Sequence, residues 1–317
     1  MKIFVTGATG VIGRRALPLL TRNHAVTAGV RDEHARARLT AAGVQCAIVD
    51  LFDQTSLERA MRGHDVVINL ATHIPNAAWK IVLRRAWAEN DRIRSEGVRN
   101  LVAAARTCSV TRFIQESYAP VYPDRGDEWI GEGTPLAPSK YNRTVIDAET
   151  SVESFADGPR TGVVLRFAAF YGPDALQLHA FIRGVRHGWA AFPGGAENFI
   201  SSVSHDDAAR AVVAALAVPS GPYNVTDDEP LRRADYVAAL AAALGVPTPR
   251  FLPAWTRSLF GPAGDTLVRS QRISNRRLTE ATGWLPHYPS VREGFVATVA
   301  ELAAAQPPKR HLAPSRP

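Results

Sequence analysis

Lysine is nearly missing from this chain of 317 residues: only Lys2, Lys80, Lys140 and Lys309 occur. A mechanism that depends on lysine therefore has few candidates. No apolar run approaches the roughly eighteen residues a membrane-crossing helix needs. The first strand-like stretch, "KIFVTG", begins at residue 2. These two features predict a cytoplasmic protein without a membrane span or cleavable signal. Cysteine is almost as scarce, with Cys46 and Cys108 alone and each in an apolar setting. That predicts two reduced, buried thiols rather than a disulfide. Zinc-ligand spacing and a Ser/His/Asp hydrolase elbow are both missing, so no metal is expected. The net charge of +7 and a pI near 9.8 suggest a nucleic-acid partner at first sight. Basic residues are nevertheless scattered among acids, and no basic stripe is interleaved with aromatics. The expected partner is a small-molecule substrate, with neither nucleic acid nor membrane involved.

What is present is an alternation. "KIFVTG", "AVTAGV", "QCAIVD", "DVVINLA", "TRFIQES" and "TGVVLRF" are short, nearly continuous apolar runs, the pattern of parallel strands covered on both faces. Helical patterns separate them, among them Ile12 to Arg22, Gln54 to Met61 and Asp91 to Thr107. Strand and helix in turn predict an α/β fold, a doubly wound parallel (Rossmann) sheet with right-handed crossovers. Beyond about residue 171 Gly and Pro punctuate the chain, and helical blocks follow at His205 to Ala217, Arg233 to Leu244 and Val291 to Ala305. The expected organisation is a dinucleotide-binding domain over 1–170, then a mostly substrate-binding lobe over 171–306 with segments returning to the sheet. A disordered tail is expected over 307–317.

"FVTGATGVIGRR", residues 4 to 15, follows a strand and opens a helix, the context that distinguishes a phosphate-binding loop from a chance glycine cluster. Gly7 suits a tight turn, Gly10 a close approach of backbone to pyrophosphate, and Gly13 close packing of helix on strand. Thr9, Val11 and Ile12 complete the candidate cradle. At the end of the second strand, where an acid would bind ribose hydroxyls, stands "VRDEH". Arg31 there attracts a 2′-phosphate, which predicts NADP(H) over NAD(H), although Asp32 keeps NAD(H) possible. Arg14 and Arg15 are positioned to close on the same phosphate.

With "VDLFD", "VVINLA", "AEN", "LRFAAFYGP", "SHDDAARA", "GPYNVTDDEP" and "TGWLPHYPSVREG" added to the glycine spacing, the chain resembles the extended short-chain dehydrogenase/reductase superfamily, the NAD-dependent epimerase/dehydratase group. The resemblance runs from residue 2 to about 300. It implies adenine contacts at Asp50 and its neighbour Leu51, cofactor contacts at Ala71 and Asn90, and substrate held by the lobe after the sixth strand. It also implies a homodimer as the family habit. The family's active site is a Ser with Tyr-x-x-x-Lys, in which the lysine lowers the tyrosine's pKa.

Here the tyrosine position holds Tyr141, the lysine position Val145 and the serine position Tyr118. On a helix Lys140 is turned about 100° from Tyr141 and Arg143 about 200°, so neither supplies the lost charge. Without that cation alcohol oxidation is expected to be poor, whereas a neutral tyrosine can still give a proton to a forming alkoxide or enolate. The segment from 115 to 133 offers Glu116, Tyr118, Tyr122, Asp124 and Asp127 as replacements. Tyr118 is expected to share the substrate oxygen with Tyr141, and Glu116 or Asp124 to supply acid/base function. Three functions follow: an NADPH-dependent reductase of a carbonyl or activated alkene, a redox-neutral epimerase, isomerase or dehydratase, and a cofactor sensor without chemistry.

Overall fold

A computed structural model describes residues 1–75, 83–139, 142–193, 195–253, 255–256 and 268–305. Strand β1 (Lys2–Thr6) leads into α1 (Gly13–Thr21), β2 (Ala25–Val30) into α2 (Glu33–Ala41), and β3 (Gln45–Ile48) into α3 (Gln54–Met61). Strand β4 (Val66–Asn69) precedes α4 (Ala88–Arg92), a π-helical turn (Ile93–Gly97) and α5 (Val98–Thr107). Then come β5 (Arg112–Tyr118), α6 (Thr144–Phe155) and β6 (Thr161–Phe167). The lobe carries α7 (Leu176–Arg186), α8 (His205–Ala214), β7 (Gly221–Val225), α9 (Arg233–Ala243), α10 (Arg276–Thr282) and α11 (Val291–Ala304).

The seven strands form one sheet in the order β7-β6-β5-β4-β1-β2-β3. Every pairing in it is parallel. Alternate residues of β1 explain the continuous apolar pattern. Ile3 and Val5 pack with Leu20 of α1 and Val212 of α8 on one face, while Phe4 packs with Leu57 of α3 and Leu101 of α5 on the other. A third core, built on Tyr171, Ile182, Leu240 and Phe295, belongs to the lobe. The order reverses between β1 and β4, and a doubly wound sheet binds its ligand in the crevice at that switch point.

Three differences from the sequence reading have physical causes. The strand "GPYNV" opens on Gly and Pro, which local preference assigns to a turn, yet it pairs with β6 at the sheet edge. The helix expected as one piece from Asp91 is interrupted by the π-helical turn. Cys46 and Cys108 are free but only half-buried, donating to the carbonyls of Val44 (3.4 Å) and Glu58 (3.2 Å). Among the described residues no helix is long and apolar enough to cross a membrane.

Candidate cofactor and substrate site

The glycine loop lies where β1 ends at the switch point. Gly7 has φ +72°, and a Cβ there would overlap the Leu70 carbonyl and the Ala71 amide. Any side chain would push β4 away, so glycine is a packing requirement here. A Cβ on Gly13 would strike the Gly7 carbonyl and Ala8, so α1 can start this close to β1 only as glycine. Gly10 closes the turn, donating its N–H to the Gly7 carbonyl at 2.9 Å. Helix α1 has no capping side chain and no acid in its first turn. The N–H groups of Val11, Ile12 and Gly13 meet no acceptor among the described residues, and Thr9 and Gly10 are exposed beside them. An uncapped helix start of this kind suits an anion such as a pyrophosphate.

Around this loop the other cofactor candidates converge. Thr6 Oγ1 donates to Asn69 Oδ1 (2.5 Å), which also accepts the Ala71 N–H at 3.1 Å, fixing the β4 end beside Gly7. Asn90 is buried and its Oδ1 accepts the His73 N–H at 3.0 Å, so it holds the segment that leaves β4. Asp50 is exposed just beyond β3 and accepts the Phe52 N–H at 2.9 Å, while the Leu51 carbonyl accepts from Asn100 Nδ2 at 3.1 Å. Arg31 is exposed at the end of β2. Asp32 turns its carboxylate to cap α2, accepting the Ala35 N–H at 2.8 Å. Arg14 and Arg15 have another engagement. Both pair with Asp174 of the lobe, and Arg15 Nε also bonds Asp206 at 2.8 Å.

Strand β5 carries the residues expected on the substrate side. Glu116 and Tyr118 alternate onto the same face, and Ser117 onto the other. Glu116, buried, accepts from Arg94 Nη2 at 3.0 and 3.2 Å. Arg94 comes from the π-helical turn, a feature that often marks functional positions. Tyr118, at the strand end, is half-buried. Burial pushes its phenol up from its ordinary value, and the Arg94 guanidinium pulls the other way. Nothing in "DRIRSEG" separates Arg94 from a solvated helix charge except its spacing of four from Asn90 and three from Gly97, which puts it on the inward stripe.

On the opposite face Ser117 Oγ donates to Glu149 Oε1 (2.5 Å), and Glu149 also accepts from Arg166 Nε at 3.0 Å and Nη2 at 2.6 Å. Arg166 Nη1 donates to the Tyr122 hydroxyl at 2.7 Å, which donates to Asn224 Oδ1 at 2.8 Å. Tyr122 is thus a core residue rather than a substrate ligand. Val145, in the first turn of α6, is 1% exposed and leaves the lysine position apolar. Asp124 is exposed and accepts the Gly126 N–H at 3.0 Å within its own turn. Asp127 pairs with Arg232 at 2.9 Å. Tyr141 lies outside the described residues. Among those residues no cluster of three or more His, Cys, Asp or Glu could hold a metal.

The model of the NAD dependent epimerase/dehydratase family matches residues 3–226. A 3-diazoavenalumate denitrifying reductase from a Streptomyces species is 32% identical over 311 residues, 93% of this chain and 99% of that protein. A 4-hydroxy-2-methyl-3-oxo-4-farnesyl-3,4-dihydroquinoline-1-oxide ketoreductase from Stigmatella aurantiaca is 30% identical, covering 78% of this chain and 74% of its own. Among solved structures, the UDP-glucose 4-epimerase of Thermus thermophilus in complex with NAD superimposes with a TM-score of 0.77 at 25% identity, over 96% of this chain and all of that one.

Proposed function

The chain belongs to the NAD dependent epimerase/dehydratase family, and from that membership we propose that it is an NADP(H)-dependent reductase of a carbonyl or activated alkene in a small metabolite. The observation that carries this reading is the placement of charge on β5. The lysine position is a buried valine, and the cation acting on the Tyr118 phenol is Arg94, held by Glu116. The bound nicotinamide would supply the hydride. Tyr118 and Tyr141 share the substrate oxygen, and a neutral phenol donates the hydrogen bond and proton that oxygen needs as negative charge develops. Oxidation would need a phenolate, and burial of Tyr118 opposes one. Glu116 serves to hold Arg94 in place, because both of its oxygens accept from Arg94 Nη2 in a buried pair. Asp124 is the remaining candidate for proton exchange with solvent.

The loop and helix start hold the cofactor: Gly7 and Gly13 let the loop and α1 pack this closely on the sheet, Gly10 leaves room for the pyrophosphate, and the first-turn N–H groups of α1 meet it. Arg31 selects the 2′-phosphate. Asp32, which would repel that phosphate, commits its carboxylate to the α2 cap. Both the Streptomyces and the Stigmatella relatives are named as reductases, which supports net reduction. A redox-neutral reaction is the second reading, favoured by the likeness to a UDP-glucose 4-epimerase.

The test is NADPH oxidation against a panel of ketones and enones. One NADPH consumed per product formed supports the reductase, whereas turnover without net NADPH change transfers the assignment to the redox-neutral class. Changing Tyr118 and Tyr141 together to Phe should lower kcat at least about a hundredfold, the usual scale of general-acid catalysis. Full turnover in that double variant would sink the tyrosine role.

A further inference from the structure

Three arginines of the described chain are buried: Arg94, Arg166 and Arg233. The first two are closed by carboxylates, at 3.0 Å by Glu116 and at 2.6 Å by Glu149. The third has no carboxylate partner among the described residues. Arg233, the first residue of α9, is 3% exposed. Its Nη2 donates to the Arg269 carbonyl at 2.7 Å, while Nε and Nη1 meet no acceptor among the described residues. Burial pulls the guanidinium down to about 10, and Asp124 is the acid acting against that pull. Asp124 is an exposed loop residue bonded to its own turn, outside ion-pair distance. A buried charge without a partner is one of the costliest features a fold can carry. Where a chain keeps such a feature, function is the first place to look for the compensating group.

The surroundings fit a ligand. The chain's path ties Arg233 to the connection that follows β5: Arg269, whose carbonyl it holds, donates through Nη1 to the carbonyls of Tyr122 and Ala137, both at 2.8 Å. Those two residues lie on the connection between Tyr118 and α6. Gly195 has φ +69°, and a Cβ there would stand 3.0 Å from both Arg233 Nη1 and Asn198 Nδ2. Only glycine leaves Arg233 Nη1 unobstructed on that side, and Asn198 Nδ2, which gives one hydrogen to the Val268 carbonyl at 2.5 Å, has its second hydrogen to offer. The Phe192 ring lies under the guanidinium, 5.2 Å from its carbon to the ring centroid, a cation–π contact that offsets part of the cost of burial and leaves an apolar wall beside the donors. The start of α9 offers no rival anion site, because the N–H groups of Arg233 and Ala234 go to the carbonyls of Asn198 and Ala196, both at 2.9 Å.

We propose that Arg233, with Asn198 beside it, anchors a carboxylate of the substrate, so that this enzyme takes an organic acid whose apolar part lies against Phe192. A single planar guanidinium fork matches the two oxygens of a carboxylate. The inference rests on the reductase reading only for naming the bound acid as substrate.

The experiment is calorimetric titration of the full chain, with and without NADP+, using benzoate, benzamide and phenyl phosphate as probes. Benzoate is expected to bind at least tenfold more tightly than benzamide, and Arg233→Met to abolish the difference. Because that change removes an unpartnered charge, the variant should melt no lower than the parent. Equal binding of benzoate and benzamide overturns the proposal, as does benzoate binding that survives in Arg233→Met. Phenyl phosphate binding tenfold more tightly than benzoate overturns the carboxylate assignment. A variant that melts well below the parent, or fails to fold, makes Arg233 part of the framework and overturns it too. The titration needs no turnover, so it remains decisive even if a reductase screen fails, and a failed titration leaves the reductase reading standing.

Discussion

Arg166→Met should be among the most damaging single changes outside the glycine loop. It strips the Glu149 carboxylate, 9% exposed, of both nitrogen donors and leaves it only the 2.5 Å bond from Ser117. In the intact protein burial opposes the Arg166 charge, and the hydrogen bonds and attraction of Glu149 more than offset that, holding the guanidinium well above its ordinary value. Breaking a buried pair from one side costs about 3–5 kcal/mol, because the survivor is left charged and unpaired. Unfolding entropy of about 2.1 cal/mol/K per residue, multiplied by the 317 residues of the chain, gives about 0.67 kcal/mol/K. The melting temperature should therefore fall by roughly 5–7 °C, read by calorimetry. Glu149→Met should cost about as much, yet the double variant should lie close to the parent, since an apolar pair can replace a buried ion pair almost neutrally. Additive losses in the double variant, or single losses under about 1 kcal/mol, would refute the reasoning. The pair also joins β5 to α6 at Ser117, one residue from Tyr118.

Two further predictions concern cofactor and pH. Arg31→Ser should weaken NADPH binding tenfold to a hundredfold, the worth of about 1.5–3 kcal/mol for a charged hydrogen bond, and leave NADH unchanged. Parallel fluorescence titrations measure this, and equal losses for both cofactors would remove Arg31 from phosphate recognition. His205 is buried, which lowers its pKa from 6.5 to about 4. As pH falls from 6.5 toward 4 the unfolded chain takes up a proton that the folded chain refuses. Stability contributed by the neutral ring is thus present above about pH 6.5 and lost on acidification, by an amount on the order of 3 kcal/mol. Asp227, buried and raised, acts with the opposite sign over part of that range. The measurement is therefore the difference in melting temperature against pH between the parent and His205→Asn, and identical slopes would contradict the assignment.

The sheet and the cofactor loop were legible because their signals are local. Apolar runs of strand length, amphipathic spacers and a glycine triplet between β1 and α1 each act within a few residues of themselves. The valine at position 145 was equally plain, since a missing lysine is a fact of sequence. The strand Gly221–Val225 was not legible, because only its neighbour β6 outweighs the turn preference of Gly and Pro. Nor could sequence say which tyrosine is free: Tyr118 and Tyr122 are four residues apart, yet one lies half-buried at a strand end and the other is locked between Arg166 and Asn224.

Charge is where the two levels part most clearly. This chain compensates for scarce lysine with arginine, and along the sequence Arg14, Arg31, Arg94, Arg166 and Arg233 look alike. Whether an arginine is solvated, paired or left open depends on what long-range folding brings to it. For Arg94 that is Glu116, 22 residues away, and for Arg14 it is Asp174 in the lobe. For Arg233 it is the Arg269 carbonyl, the Phe192 ring and, among the described residues, no acid within ion-pair distance. Sequence alone determined that this chain builds a nucleotide-binding sheet and lacks the family's lysine. Tertiary structure alone decided which cations remain available, because desolvation and pairing are properties of surroundings that residues distant in the chain assemble.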